Sequence, residues 1–181
     1  MPIIRHPALE RLSHDHHQYL EAAQKIRWLI DGDSRATTAE DLVENLLQFW
    51  NAGGELHLRE EEEITFAFYL QHVPLAKKEI DALKTDHLWL RDKFEELSHM
   101  PRFENTAPLL RSLGEYMVSH IRYEEQVIFE KIQTALDEVA LQELAAKSAA
   151  FRKEHRGEEP ATIEKSQLPT TGMLNLRLLD D

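Results

Sequence analysis

Cysteine is absent from the 181-residue chain, and its absence removes several chemistries at once. Disulfides, iron–sulfur clusters, thiolate zinc sites and cysteine nucleophiles are all excluded. Any metal must therefore be held by nitrogen and oxygen. Glycine is scarce, at six residues, and the tracts of Glu, Leu, Ala, Lys and Gln favour helix over sheet. No apolar run approaches the ~20 residues of a membrane span, and the stretch from Met1 to Pro7 lacks the apolar core of a secretion signal. Positive charge is also in deficit: 21 Lys and Arg against 33 Asp and Glu give a formal net charge of −12. Such a balance disfavours nucleic acid and anionic membranes as partners. The expected setting is the cytoplasm.

What is present suits one helical domain of ordinary size, with 42% apolar and 30% charged residues. Pro7 opens a first helix whose inward stripe reads Leu9, Leu12, His16, Tyr19 or Leu20, Ala23, Ile26 and Ile30, with Gly32 as its stop. Thr37 with Glu40 is a candidate capping box for a second helix. Its stripe reads Leu42, Leu46, Phe49, Gly53, His57, Glu61, Ile64 and Phe68. Gly53 and Gly54 predict a close helix approach or a bend. Pro74 separates it from a third helix bearing Ile80, Leu83, His87, Leu90, Phe94 and Leu97, which exits at Met100-Pro101-Arg102. A fourth, from about Ala107-Pro108, carries Leu110, Leu113, Met117, His120, Glu124, Val127 and, at its far end, Lys131. Asp137 caps a fifth, which runs from about Glu138 to His155, is stopped by Gly157 and packs on the others. The expected fold is all-α: an antiparallel up-and-down four-helix bundle plus a C-terminal helix over residues 1–157, then an irregular tail over 158–181.

Polar residues interrupt those apolar stripes in a repeated order. His57-x-x-x-Glu61 and His120-x-x-x-Glu124 each place an imidazole four residues before a carboxylate. On a helix such residues share a face, with Cβ atoms roughly 5–6 Å apart. Asp15-His16 and Asp86-His87 form a second repeated pair. Alone, a His-x-x-x-Glu pair is usually a surface neighbour, and the run from Glu60 to Glu63 reads as a solvated acidic face with only Glu61 turned inward. Together, histidines in leucine slots on four helices are costly. Each buried polar group without a partner costs roughly 1–3 kcal/mol, against the ~5–15 kcal/mol that holds a domain together. A bound cation removes that conflict. The candidate metal ligands are His16, His57, Glu61, His87, His120 and Glu124, and six exceed the four of a structural zinc. On helix 1, His17 is the alternative to His16. His14 falls on the polar face, and His6, His72, His99 and His155 read as surface or capping residues. Glu62 and Glu125 stand one residue beyond the candidate glutamates, suited to outer hydrogen bonds or surface pairs.

These residues resemble the hemerythrin-like, or HHE cation-binding, domain. The matching positions are Asp15-His16, His57 through Glu61 and Glu62, Asp86-His87, and His120 through Glu124 and Glu125, within about residues 8 to 135. The resemblance implies a four-helix bundle around a non-haem di-iron centre with an exchangeable site for oxygen, peroxide or nitric oxide. Two departures argue against reversible oxygen carriage. Oxygen carriers have a second histidine four residues away on helix 3, where this chain has Leu83 and Arg91. They also use a His-x-x-x-x-Asp pair on the last helix, where this chain has His120-x-x-x-Glu124. The family's iron–sulfur repair members look to carry a cysteine-bearing segment that is missing here.

The leading expectation is a protein that binds two iron ions, oxo- or hydroxo-bridged, and binds or senses iron, oxygen, peroxide or nitric oxide. Zinc, manganese and nickel are alternative metals. A di-iron oxidase or peroxidase is a rival, although a histidine-rich site favours binding over the oxidation chemistry of carboxylate-rich sites. A structural zinc or nickel bundle is the third reading.

Overall fold

The computed structural model describes residues 4–100 and 106–155. The exit at Pro101-Arg102, the stop at Gly157 and the tail from 158 lie outside the described residues. Within them every element is helical. The helices are α1 (Pro7–Asp31), α2 (Ala39–Phe49), α3 (Glu55–Glu60), α4 (Phe66–His72), α5 (Lys77–His99), α6 (Thr106–Tyr123), α7 (Phe129–Ala135) and α8 (Glu138–Glu154). A kink over Trp50–Gly54 and the π-helical turn Glu61–Thr65 link α2, α3 and α4 into one bent rod, and the π-helical turn Glu124–Ile128 fuses α6 to α7. Five helical rods thus form the bundle. Among the described residues, no helix is long and apolar enough to cross a membrane.

The ends follow local chemistry. Pro7 occupies the first turn of α1, where its missing N–H costs nothing, and the His6 ring accepts from the Ala8 N–H at 3.1 Å. Gly32 adopts φ 68°, the left-handed conformation that closes a helix without a Cβ clash. The cap of α2 lies one residue beyond the expected Thr37. Thr38, with extended backbone, accepts from the Asp41 N–H at 3.1 Å. The carboxylate partner in that turn is therefore Asp41 rather than Glu40. Asp137 caps α8 by accepting from the Ala140 N–H at 2.9 Å.

The expected stripe is accurate on α5, where Ile80, Leu83, His87, Leu90, Phe94 and Leu97 are all buried. On α1 the buried aromatic is Tyr19 rather than Leu20. On the rods that carry π-helical stretches the stripe slips by one residue at some positions, where a widened turn or the kink at Gly53 shifts the phase, and it is back in register at His57, Glu61 and Phe68. Trp50, Gly54 and Thr65 are buried where Phe49, Gly53 and Ile64 were expected. Ile128 and Ile132 replace Val127 and Lys131. Lys131 is exposed and holds Glu79 at 2.6 Å. The chain also bends at Gly53, which departs from helical backbone, while the Tyr19 hydroxyl donates to the Gly54 carbonyl at 2.6 Å. The glycine pair thus supplies both a bend and a close approach.

The core is two apolar clusters with a polar layer between them. One gathers Tyr19, Ile26, Leu46, Leu90, Phe94, Leu113 and Met117 among others. The second gathers Leu9, Leu12, Phe66, Ile80, Leu83, Phe129 and Ile132 among others. Each large side chain contributes roughly 1.5–3 kcal/mol by leaving water. His16 separates Leu12 from Tyr19 along α1, and His87 separates Leu83 from Leu90 along α5. The histidines therefore lie at the level where the two clusters meet.

Candidate metal centre

Six side chains occupy that level: His16 from α1, His57 from α3, His87 from α5, His120 from α6, and Glu61 and Glu124 from the first residues of two π turns. All are buried, none more than 5% exposed. His17 and His14 are exposed. The structure thus brings together all six candidate ligands and turns the alternative on helix 1 outward. The π turns matter here. Each begins at the glutamate four residues after a histidine, and such widened turns recur at functional sites.

The Nε2 atoms point inward. His16 Nε2 lies 3.6 Å from Glu61 Oε1 and 3.3 Å from Glu124 Oε2. His57 Nε2 is 3.5 Å from Glu61 Oε1, and His120 Nε2 is 3.2 Å from Glu124 Oε2. His87 Nε2 faces both carboxylates, at 3.4 Å from Glu61 Oε2 and 3.6 Å from Glu124 Oε1. Most of these separations exceed the 2.7–3.2 Å of a hydrogen bond. Accordingly Nε2 of His16, His87 and His120, and both oxygens of Glu61 and of Glu124, are buried without a hydrogen-bond partner. Buried polar atoms are normally paired. So many unpaired donors converging on one place fit a bound cation, and imidazole with carboxylate suits a borderline or hard divalent ion. Donor atoms of Glu61, His87, His120 and Glu124 lie within 4.8 Å of one another, as do those of His16, His57 and Glu61. Glu61 belongs to both groups. The buried cluster fits a metal site.

The opposite ring nitrogens point outward, each to a carboxylate. Glu125 Oε1 stands 2.6 Å from His16 Nδ1, and Glu62 Oε1 stands 2.8 Å from His87 Nδ1. Asp15 Oδ2 is 3.5 Å from His57 Nδ1, and Asp86 Oδ2 is 3.4 Å from His120 Nδ1. At His16 and His87 the carboxylate at hydrogen-bond distance keeps the proton on Nδ1 and leaves the Nε2 lone pair directed inward, whereas His57 Nδ1 is buried without a hydrogen-bond partner. The pattern crosses over: the residue before one histidine backs a histidine of another helix. Asp15 and Asp86 had no assigned role in the sequence reading, although their repeated place before His16 and His87 was the available signal.

Electrostatics in the metal-free protein follow from this crowding. Burial opposes charge on His16, yet Glu124, Glu125 and Glu61 outweigh it and push its pKa well above the usual 6.5. His87 moves up to about 9, against burial, chiefly through Glu124 and Glu62. Burial works to raise Glu124, but His120, His16 and His87 hold it well below the ordinary carboxylate range. Glu62 and Glu125, also against burial, fall to about 2 through their histidine and arginine neighbours.

One correction concerns the acidic run. Glu60, expected on a solvated face, is fully buried and accepts from Ser148 Oγ and Arg152 Nε of α8. The fifth helix covers that face and supplies the cation that makes its burial tolerable. Arg152 also donates to Asp15 Oδ2 at 2.5 Å. Aromatic rings close the layer: Phe129 stacks on His16 at 5.4 Å and Phe66 on His87 at 5.9 Å.

No curated protein and no solved structure matches the chain. The family model of the hemerythrin HHE cation binding domain matches residues 7–132 and also 80–162. A match over more than half the chain, together with a buried histidine–glutamate layer of the kind such a domain requires, means that the chain belongs to the hemerythrin HHE cation-binding family.

Proposed function

We propose that the layer holds two iron ions, non-haem, with His16 and His57 serving one, His87 and His120 the other, and Glu61 and Glu124 shared between them. The protein would then bind or sense iron, oxygen, peroxide or nitric oxide. The observation that carries this reading is the set of buried, partnerless Nε2 and carboxylate oxygens facing one another. The presence of Glu61 in both donor groups supports two cations over one. When bound, a ferrous pair supplies one-electron chemistry and an exchangeable position for a diatomic or peroxide.

The chain's own residues set the conditions. Glu125 and Glu62 keep a proton on Nδ1 of His16 and His87, Asp15 and Asp86 face those of His57 and His120 at longer range, and Phe129 and Phe66 flank His16 and His87 with apolar surface. The same reading takes α1, α2–α4, α5 and α6–α7 as staves running alternately up and down; the short links between consecutive rods favour that topology. Anaerobic iron loading tests the proposal, followed by metal analysis and absorption spectra before and after oxygen. About two irons per chain and oxygen-dependent charge-transfer bands are expected. One colourless metal per chain would replace the proposal with a structural zinc or nickel site. Steady turnover of peroxide would make the protein an enzyme.

A further inference from the structure

Arg5 precedes α1 and lies outside the stretch that matches the family model, which begins at residue 7. Its side chain is nonetheless only 7% exposed. Nη2 donates to Glu125 Oε2 at 2.6 Å and to the Glu125 carbonyl at 2.8 Å, and Nη1 donates to Glu130 Oε1 at 3.0 Å. Nε is buried without a partner, so the hydrogen bonds of this guanidinium all serve one stretch of chain 120 to 125 residues away. The main chain beside it is anchored to the same rod: the His6 N–H donates to Gln133 Oε1 at 2.6 Å.

That stretch holds the π turn Glu124–Ile128. In an α-helix the Glu125 carbonyl would accept from the Phe129 N–H, four residues on. Here the Phe129 N–H goes to the Glu124 carbonyl, and the guanidinium meets the Glu125 carbonyl. Arg5 thus supplies a donor where the widened turn takes one away. It also grips Glu125 by the oxygen that His16 does not use: Oε1 stands 2.6 Å from His16 Nδ1, while Oε2 takes Arg5. Charge-assisted contacts of this kind fix direction as well as adding energy. A second path reaches the same histidine. The guanidinium carbon lies 5.4 Å from the centre of the Phe129 ring, which stacks on His16. The glutamate behind His87, by contrast, takes its guanidinium from Arg91, on the same helix as that histidine.

We propose that Arg5 is a positioning residue for the metal layer: by tying the Glu125 side chain and carbonyl to the N-terminal segment, it holds the π turn in place and aims Glu125 at His16. The same hold bears on Glu124, which begins that turn. This inference rests on the metal reading above, and it gives the residues ahead of α1 a part in binding the cation.

The test is an anaerobic cobalt(II) titration of the full chain, read by equilibrium dialysis and by visible absorption, which reports the ligand geometry around the ion. Arg5→Ala should weaken cobalt binding by a factor on the order of the 10–100-fold that outer partners control, and should shift the absorption bands. Glu125→Gln should do the same. The double variant should lose clearly less than the product of the two single losses, because both residues act in one hydrogen-bonded unit. If circular dichroism shows Arg5→Ala unfolded, Arg5→Lys carries the same expectation, since an ammonium keeps the charge but not the fork that spans the Glu125 side chain and carbonyl. A folded variant at position 5 with unchanged affinity and bands, whatever its melting temperature, would make Arg5 a purely structural residue and overturn the inference. Losses that multiply in the double variant would overturn the path through Glu125. Either result leaves the metal centre standing. No cobalt bound by the native chain would overturn the metal reading itself.

Discussion

In the half of the molecule formed by residues 7–72, the layer is built from His16, His57 and Glu61; in the half formed by 77–135, it is built from His87, His120 and Glu124. The plan is the same: a histidine in a leucine slot, then a histidine and a glutamate four apart at the mouth of a π turn. The surroundings are not the same. The first half is bent at Gly53, lies under α8 and has Asp15 clamped by Arg152. The second half has Asp86 one-third exposed beside Tyr116. Repeated donor geometry thus coexists with unlike surroundings, because geometry is set by helical spacing and surroundings by what packs behind each ring.

The harshest way to break the comparison is to remove what both halves share. Glu61→Ala should release cations from both positions, with an affinity loss greater than the roughly 10–100-fold that an outer partner costs. His14→Ala and His17→Ala should leave metal content unchanged, since both rings face solvent. Metal analysis of the purified variants checks this. Equal metal loss in all three would remove the ligand assignment.

Acidity gives the next largest effect. Without a cation, His87 titrates at about 9 rather than 6.5. Its protonated form therefore contributes stability fully present below 6.5 and lost as pH rises through about 9. A cation needs Nε2 bare, so loading should release protons across that window and bind more tightly as pH rises. Thermal melts of the metal-free protein should lose stability over this range while the loaded protein does not. A metal-free melting temperature that climbs between those pH values would contradict the assignment.

The outer carboxylates sharpen the contrast directly. Asp86→Asn should weaken cation binding by about 10–100-fold, and Asp15→Asn by less, because His57 Nδ1 makes no hydrogen bond across the 3.5 Å to Asp15 Oδ2. Dialysis against a competing chelator measures both. The smallest effects fall on two glycines, one in each half. A Cβ at Gly54 would sit 3.1 Å from a Trp50 ring carbon and 3.4 Å from the Tyr19 hydroxyl, between side chains with little room to move. Gly54→Ala should cost about 1 kcal/mol, the low end of overpacking. At Gly114 the near neighbours are Ile26 carbons at 3.1–3.5 Å. There the roughly 1 kcal/mol gain in helix propensity should nearly cancel the crowding. Urea melts distinguish the two.

Much of this was legible before folding. The helices, the start at Pro7, the caps at Gly32 and Asp137, and the inward place of each of the six side chains on its own helix follow from local rules, because helical periodicity maps spacing onto faces. The α5 stripe, with no π turn in it, matched at every position. The Val127 and Lys131 positions failed because a π turn changes the phase and leaves no compositional mark. Glu60 failed for a different reason: four glutamates in a row look solvated until a distant arginine covers one of them.

The sequence by itself determined an all-helical chain with nitrogen and oxygen donors set among oily residues at repeating intervals, since both facts depend on neighbours within a turn or two. Only the tertiary structure decided which ring nitrogen faces inward, that Asp15 stands beside His57 and Asp86 beside His120, and that α8 brings Arg152 onto Asp15 and Glu60. Those pairings join residues 34 to 137 positions apart. Contacts over such distances arise from how the rods pack, and no periodicity within one rod encodes them.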